Sequence, residues 1–165
     1  MICCALIAGL FGLLWPWRRG ALTWRQGEDA PSGFLHARWR SIGFAMAGLA
    51  FVIRNEANMR VHLVAATTAI AAGLAFGIDK AEWRWLFLSI ALVIAGEALN
   101  TGIEQACDAI GGRSEPIRRA KDAAAGGVLA LAIGAAMIGA SIFVPHVLAV
   151  WRGAPAAPPL CGAFQ

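Results

Sequence analysis

Three long apolar segments constrain the fold of this chain more than any other feature of its sequence. They cover roughly residues 61–78, 83–103 and 123–150, and a helix needs about 20 mostly apolar residues to cross a bilayer. Hydrophobic residues make up 59% of the 165 residues and the mean hydropathy is +0.64, which is too apolar for an ordinary soluble domain. We therefore expect an all-α integral membrane protein with three transmembrane helices and no separate soluble catalytic domain.

The segments that flank these spans differ from them in composition. Residues 1–35 combine a short apolar run, which is an imperfect signal peptide or an interfacial anchor, with a polar linker, and we expect them to be dispensable. Residues 36–54 mix arginines with large apolar residues, as in an amphipathic helix that lies on the membrane surface. The domain proper is predicted to cover residues 36–150, and the Ala- and Pro-rich residues 151–165 to be a disordered tail.

The basic residues are distributed asymmetrically between the two sides of the predicted spans. They form no dense basic stripe, which argues against nucleic-acid binding despite the net charge of +4. Under the positive-inside rule, the surface helix and the loop between the second and third spans face the cytoplasm. The residues on that side are Arg54, Arg60, Arg113, Arg118, Arg119 and Lys121, against Lys80 and Arg84 in the opposite loop. The four cysteines show no spacing typical of disulfides or zinc sites.

The second apolar segment carries one polar face. Its members follow one another at i, i+3, i+4, i+7 and i+11, which confines them to an arc of about 100° on a helix. They are Glu97, Asn100, Thr101, Glu104 and Asp108. An acidic residue at mid-bilayer costs about 2.5 to 3.5 kcal/mol on insertion scales, so this face is predicted to be functional. The alternative is that it only packs against other helices and bonds Asn100 to a carboxylate.

The two glutamates of this face are predicted to have different roles. Glu97 and Glu104 are two turns apart, a rise of about 10.5 Å, which is too far for both to bind one metal ion. Glu104 is the nearer to the cytoplasm and suits a metal-bound nucleotide, whereas the deeper Glu97 suits a lipid hydroxyl. Glu56, just before the first span, is the candidate for a second Mg²⁺ ligand. Its alternative role is that of an acid that stabilises a helix start.

The start of the third segment offers a possible phosphate site. Lys121 and Asp122 are predicted to open this span. A lysine opposes the macrodipole at a helix N-terminus, whereas a phosphate bound there would stabilise its positive charge. The alternatives are that Asp122 is an ordinary capping residue and that Lys121 only follows the positive-inside rule. Gly111, Gly112 and Pro116 predict a tight turn before it. The many Ala and Gly residues of the segment predict close helix contacts.

Three stretches of the sequence carry a resemblance to a known family. They are NEANMRVH at residues 55–62, EALNTGIE at 97–104 with Asp108 after it, and AKDAAAG at 120–126. Together, over residues 41–144, the chain resembles the prokaryotic diacylglycerol kinase family, which includes undecaprenol kinases. The resemblance implies a homotrimer of three-span subunits in the bacterial inner membrane. Its composite active sites would face the cytoplasm and use ATP and Mg²⁺.

The resemblance also implies a role for each matching residue. Glu97 would be the general base, and Glu56 and Glu104 would bind Mg²⁺ and ATP. Further ATP contacts would come from Asn100, Lys121 and Asp122. The lipid would be contacted by Glu97, Asn58 and Arg60, with Asp108, Asn55 and Thr101 as supporting residues. The chain departs from the best-known diacylglycerol kinases at Phe44, where a tyrosine is common, and at Asn58 and His62. The run around these last two residues is more similar to the undecaprenol kinase branch.

These features support an ATP-dependent lipid kinase as the main hypothesis. The reaction would be a direct in-line transfer of the γ-phosphate to a lipid hydroxyl, converting diacylglycerol to phosphatidic acid or undecaprenol to undecaprenyl phosphate. One alternative is a non-enzymatic oligomeric scaffold or channel with a buried acidic face. A third is a family member that binds lipid without turnover.

Overall fold

The protein is an assembly of long helices. The structure is a computed structural model that describes residues 34–112 and 114–153. These described residues form four helices: α1 is Phe34–Asn55, α2 is Ala57–Phe76, α3 is Lys80–Ile110 and α4 is Glu115–Trp151. No strand occurs in the described part of the chain, as predicted for an all-α protein. The predictions for residues 1–33 and for the tail after residue 153 fall outside the described residues.

Helices α2, α3 and α4 are each long and apolar enough to cross a membrane. They contain 20, 31 and 37 residues, or about 30, 46 and 55 Å of helix. The three predicted spans are confirmed at this level, but α3 and α4 extend well beyond the apolar segments. A bilayer has a hydrocarbon core of about 30 Å, so their polar ends remain helical outside it.

The chain divides into two units, residues 1–57 and 58–165. The first unit contains α1, so residues 36–54 are helical as predicted. The amphipathic character of this helix and its location on the membrane surface stay predictions. Near the end of α1, Asn55 Nδ2 donates a hydrogen bond to the Phe51 carbonyl oxygen at 2.8 Å. The guanidinium of Arg40 lies 5.9 Å from the ring centre of Phe44, one turn further along the helix.

In the second unit, α3 packs along α4, and an apolar core lies near the turn between α2 and α3. The buried members of this core are Ile78, Leu86 and Ile142. Phe76 at the end of α2 contacts Phe143 of α4, with ring centres 6.2 Å apart. Burial of these large side chains ties the three helices together at this end.

The loop predicted around Lys80, between the first two spans, is shorter in the structure. Asp79 is the N-cap of α3, and its Oδ1 accepts hydrogen bonds from the backbone N–H groups of Ala81 at 2.6 Å and Glu82 at 2.9 Å. Glu82 Oε2 in turn accepts from the Asp79 N–H at 2.8 Å, which completes a capping box. Lys80, Ala81 and Glu82 therefore belong to α3, because the capping box stabilises its first turn.

The start of α4 also differs from the prediction. The helix begins at Glu115, with Ser114 as its N-cap and Pro116 in the first turn, where a missing N–H costs nothing. Lys121 and Asp122 therefore do not open this helix, and the arguments from capping and the macrodipole do not apply to them. The turn before it contains Gly111 and Gly112 at φ values of 74° and 85°, a conformation that favours glycine.

Candidate active site

One continuous face of α3 is buried along most of the helix. Its buried residues are Leu86, Ser89, Val93, Glu97, Asn100, Thr101 and Cys107. We call this face the α3 stripe. Its first half is mostly apolar, and it becomes polar from Glu97 onward. The predicted polar arc therefore faces the interior at its deep end, while Glu104 is half-buried and Asp108 is exposed.

Glu97 occupies the border between the two halves of the stripe. Only 1% of its surface is exposed, and Thr101 Oγ1 donates a hydrogen bond to its backbone carbonyl at 3.0 Å. Beside it, α4 comes so close that a Cβ added to Gly96 would lie 2.5 Å from Leu131 Cδ1. Real Cβ atoms do not approach that closely, so any larger residue at position 96 would require the Leu131 side chain to shift. The carboxyl group of Glu97 is thus removed from bulk water by tight helix packing.

Asn100 links the stripe to Glu104. Its Nδ2 donates a hydrogen bond to Glu104 Oε1 at 3.1 Å, the bond from Asn100 to a carboxylate that the alternative interpretation of this face predicts. The other amide atom, Asn100 Oδ1, is buried and has no hydrogen-bond partner among the described residues. A buried polar atom without a partner is uncommon in folded proteins. Asn100 therefore orients Glu104 and retains an unused acceptor.

The charged end of α4 lies beside the end of α3. Lys121 Nζ donates a hydrogen bond to Asp108 Oδ1 at 2.5 Å, which links the two helices. Arg118 bonds to Asp122 at 2.6 Å and to Glu115 at 2.8 Å. The two predicted ATP-binding residues of this helix, Lys121 and Asp122, are thus each held in an ion pair.

Comparison with known proteins identifies the family. A family model described as prokaryotic diacylglycerol kinase matches residues 43–143. The chain is 35% identical over 114 residues to the undecaprenol kinase of Bacillus subtilis (strain 168), covering 68% of this chain and 93% of the relative. It is also 32% identical over 112 residues to the diacylglycerol kinase of Synechocystis sp. (strain PCC 6803), covering 67% of this chain and 64% of that longer relative. The chain belongs to the prokaryotic diacylglycerol kinase family.

As a member of the prokaryotic diacylglycerol kinase family, the protein is a lipid kinase. The resemblance found in the sequence is thereby confirmed. The region of this family match contains every residue for which a site role was predicted, from Asn55 to Asp122. The roles of the individual residues stay predictions.

The first family motif lies where α1 ends and α2 begins. Asn55 is the last residue of α1, and Glu56 is the single residue between the two helices. The backbone N–H of Glu56 donates to the Val52 carbonyl at 2.9 Å, which holds it at the end of α1, and its side chain is partly exposed. Asn58 and Arg60 lie in the first turn of α2, with Asn58 exposed and Arg60 half-buried.

The acidic residues do not form a complete metal cage by themselves. Within residues 34–112 and 114–153, no three His, Cys, Asp or Glu side chains are grouped so as to hold a metal ion. Mg²⁺ in kinases is commonly held by one or two carboxylates together with substrate phosphates and water. Glu104 fits that chemistry, since its carboxylate is half-buried and oriented by Asn100.

The sequence did not predict a cavity that lies between α2, α3 and α4. Its volume is about 280 Å³, and its wall includes six alanines. They are Ala65, Ala66 and Ala69 of α2 and Ala132, Ala135 and Ala136 of α4. We call it the alanine cavity. The small residues of α4 were expected to give close helix contacts. The close contact at Gly96 is instead made by the large side chain of Leu131, and three alanines of α4 line a cavity.

Proposed function

We propose that this protein transfers the γ-phosphate of ATP to the hydroxyl group of a membrane lipid. Its relatives are named as kinases of undecaprenol and of diacylglycerol, and both of these lipids are alcohols. The observation that carries the proposal is the buried Glu97, where the α3 stripe changes from apolar to polar. A lipid alcohol shows the same change in polarity along its length, from an apolar hydrocarbon chain to a polar hydroxyl group.

Glu97 is the proposed general base. A carboxylate within hydrogen-bond reach of a hydroxyl can accept its proton, and base catalysis of this kind contributes about 10²- to 10⁴-fold to a rate. Glu97 takes the hydroxyl proton while the lipid oxygen attacks the γ-phosphorus. The bond between this phosphorus and the β,γ-bridging oxygen breaks, and ADP leaves with that oxygen.

Glu104 and Glu56 are the proposed ligands of the Mg²⁺ that accompanies ATP. The ion would offset the negative charge of the phosphates when the nucleotide is bound. Asn100 orients Glu104 by its hydrogen bond and supplies a further acceptor through Oδ1. The assignment of Glu56 follows from the family motif NEANMRVH, as do those of Asn58 and Arg60 as lipid-contacting residues.

Lys121 and Asp122 complete the proposed ATP site. Lys121 adds positive charge next to the half-buried Glu104 end of α3, where it is held by Asp108. We assign Asn55, Thr101 and Asp108 supporting roles. Thr101 donates a hydrogen bond to the Glu97 backbone carbonyl, and Asp108 accepts one from the Lys121 side chain. A homotrimer whose sites face the cytoplasm of the bacterial inner membrane is part of the proposal, based on the resemblance and the charge distribution.

A transfer assay with γ-labelled ATP tests this function. Purified protein in mixed micelles is offered undecaprenol or a diacylglycerol, and the lipid fraction is counted. We expect labelled lipid that depends on Mg²⁺, and at least a tenfold higher Mg²⁺ requirement for Glu104→Gln. Glu115→Gln, an exposed acid of the α4 end, serves as the matched control and should behave as wild type. If neither lipid is labelled while protein-containing vesicles conduct ions, the kinase reaction is wrong and the channel alternative is correct.

A further inference from the structure

The alanine cavity lies next to Glu97 along the α3 stripe. Val93 and Ile94 form part of its wall, and they precede Glu97 by four and three residues, a rise of about 4.5 to 6 Å along the helix. Leu86 and Ser89 continue the wall further from Glu97. The cavity is thus located on the apolar side of Glu97, where a chain attached to a hydroxyl at this residue would extend.

The size of the cavity corresponds to a short piece of hydrocarbon. An apolar cavity of about 150 Å³ holds one benzene molecule, so the 280 Å³ found here holds roughly eleven carbon atoms on the same scale. Two isoprene units contain ten carbons. Ala65 and Ala136 in the wall are exposed, so the cavity opens at the surface of the three-helix unit and a long chain could leave it into the bilayer.

The wall of the cavity offers very few hydrogen bonds. Among the described residues that line it, only Ser89 and His62 carry polar side chains. Ser89 Oγ already donates to the Leu86 carbonyl at 2.8 Å, so its single proton is used. The imidazole of His62 is therefore the one side chain of the wall that can donate to a ligand.

We propose that the alanine cavity binds the first two or so isoprene units of a polyisoprenoid alcohol whose hydroxyl lies at Glu97. The inference rests on the proposed kinase function and names its substrate class. A diacylglycerol carries two ester carbonyls within a few atoms of its hydroxyl, and this wall provides a donor for at most one of them. Burial of an ester carbonyl without a donor is unfavourable, whereas the isoprenoid chain beside its hydroxyl is pure hydrocarbon.

Photolabelling without ATP tests the cavity directly. The probe is a farnesol analogue with a diazirine on its second isoprene unit, and labelled residues are mapped by mass spectrometry. In wild type, we expect label on the cavity-lining residues of α2, α3 and α4. Ala66→Leu/Ala135→Leu fills the cavity and should reduce this labelling at least tenfold. The control variant Ala75→Leu/Ala140→Leu changes two exposed alanines of the same helices outside the cavity. Its labelling of the cavity-lining residues should stay within twofold of wild type.

Competition distinguishes the two lipid classes in the same samples. Excess unlabelled farnesol should abolish the labelling, and dioctanoylglycerol at the same concentration should not. The proposal is overturned if the label falls outside the cavity, if filling leaves it unchanged, or if dioctanoylglycerol competes equally. Should the double variant fail to assemble by size-exclusion chromatography, Ala66→Leu and Ala135→Leu are used singly, and each should reduce labelling at least threefold.

A parallel transfer assay separates this inference from the proposed function. Labelling in the cavity without any phosphoryl transfer to lipid would refute the kinase reaction while supporting the cavity as a polyisoprenoid site. Transfer to a polyisoprenoid alcohol without labelling of the cavity would refute the cavity proposal and leave the kinase reaction intact.

Discussion

Replacement of Glu97 by glutamine should raise the stability of the protein while it removes activity. The side chain is 1% exposed, and glutamine has almost the same shape, so the tight contact between Gly96 and Leu131 is preserved. What changes is the ability to carry a negative charge and to accept a proton. A residue with a purely structural role would lose stability and activity together.

The two magnitudes can be worked out separately. A charged acid at membrane depth costs about 2.5 to 3.5 kcal/mol on insertion scales. We therefore expect Glu97→Gln to stabilise the fold by about 1 to 3 kcal/mol. Loss of a general base costs about 10²- to 10⁴-fold in kcat, or about 3 to 5 kcal/mol in the barrier.

Both effects are measurable on one preparation. Unfolding in detergent with increasing mole fraction of dodecyl sulfate, followed by circular dichroism, gives the stability, and transfer of label from γ-labelled ATP at saturating lipid gives kcat. Glu115→Gln changes an acid that is exposed at the end of α4 and should alter neither quantity appreciably. An activity of Glu97→Gln within tenfold of wild type, or a lower stability than wild type, would refute the reasoning.

Two further predictions concern the surroundings of this residue. Gly96→Val should lower stability by about 1 to 3 kcal/mol, because any Cβ at this position overlaps Leu131 Cδ1; unfolding measurements should show almost no such loss for Gly102→Ala, whose added Cβ meets open space. Asn100→Leu removes the hydrogen bond to Glu104. The Mg²⁺ concentration that gives half-maximal activity should therefore rise several-fold, with little change in the KM for lipid. An unchanged Mg²⁺ dependence would mean that Asn100 does not orient Glu104.

Some features of the fold could be predicted because they are local. The three spans follow from the number of consecutive apolar residues, and the polar face of α3 from a repeat of three and four residues. Both depend on single-helix geometry and on the solvent properties of the bilayer. The capping box at Asp79 and Glu82 was equally readable from their spacing of three residues before an apolar run, although the sequence was interpreted there as a loop.

The start of α4 shows why apolar segments alone misplace helix ends. Lys121 was predicted at the N-terminus of the third span because the apolar run begins just after it. Ser114, Glu115 and Pro116 are typical of a helix start, and the structure follows them. Hydropathy reports where a helix enters lipid, whereas the local signals report where it begins, and the two positions are eight residues apart in this helix.

By itself, the sequence determined the family, the three apolar helices and the alignment of Glu97, Asn100 and Glu104 on one face. Only the tertiary structure decided which side chains meet across helices. Asp108 pairs with Lys121, and the neighbourhood of Gly96 is closed while the alanine cavity one turn away is open. These outcomes depend on the register of α4 against α3 and on the combined side-chain volumes of three helices, and packing density is a property of that whole assembly.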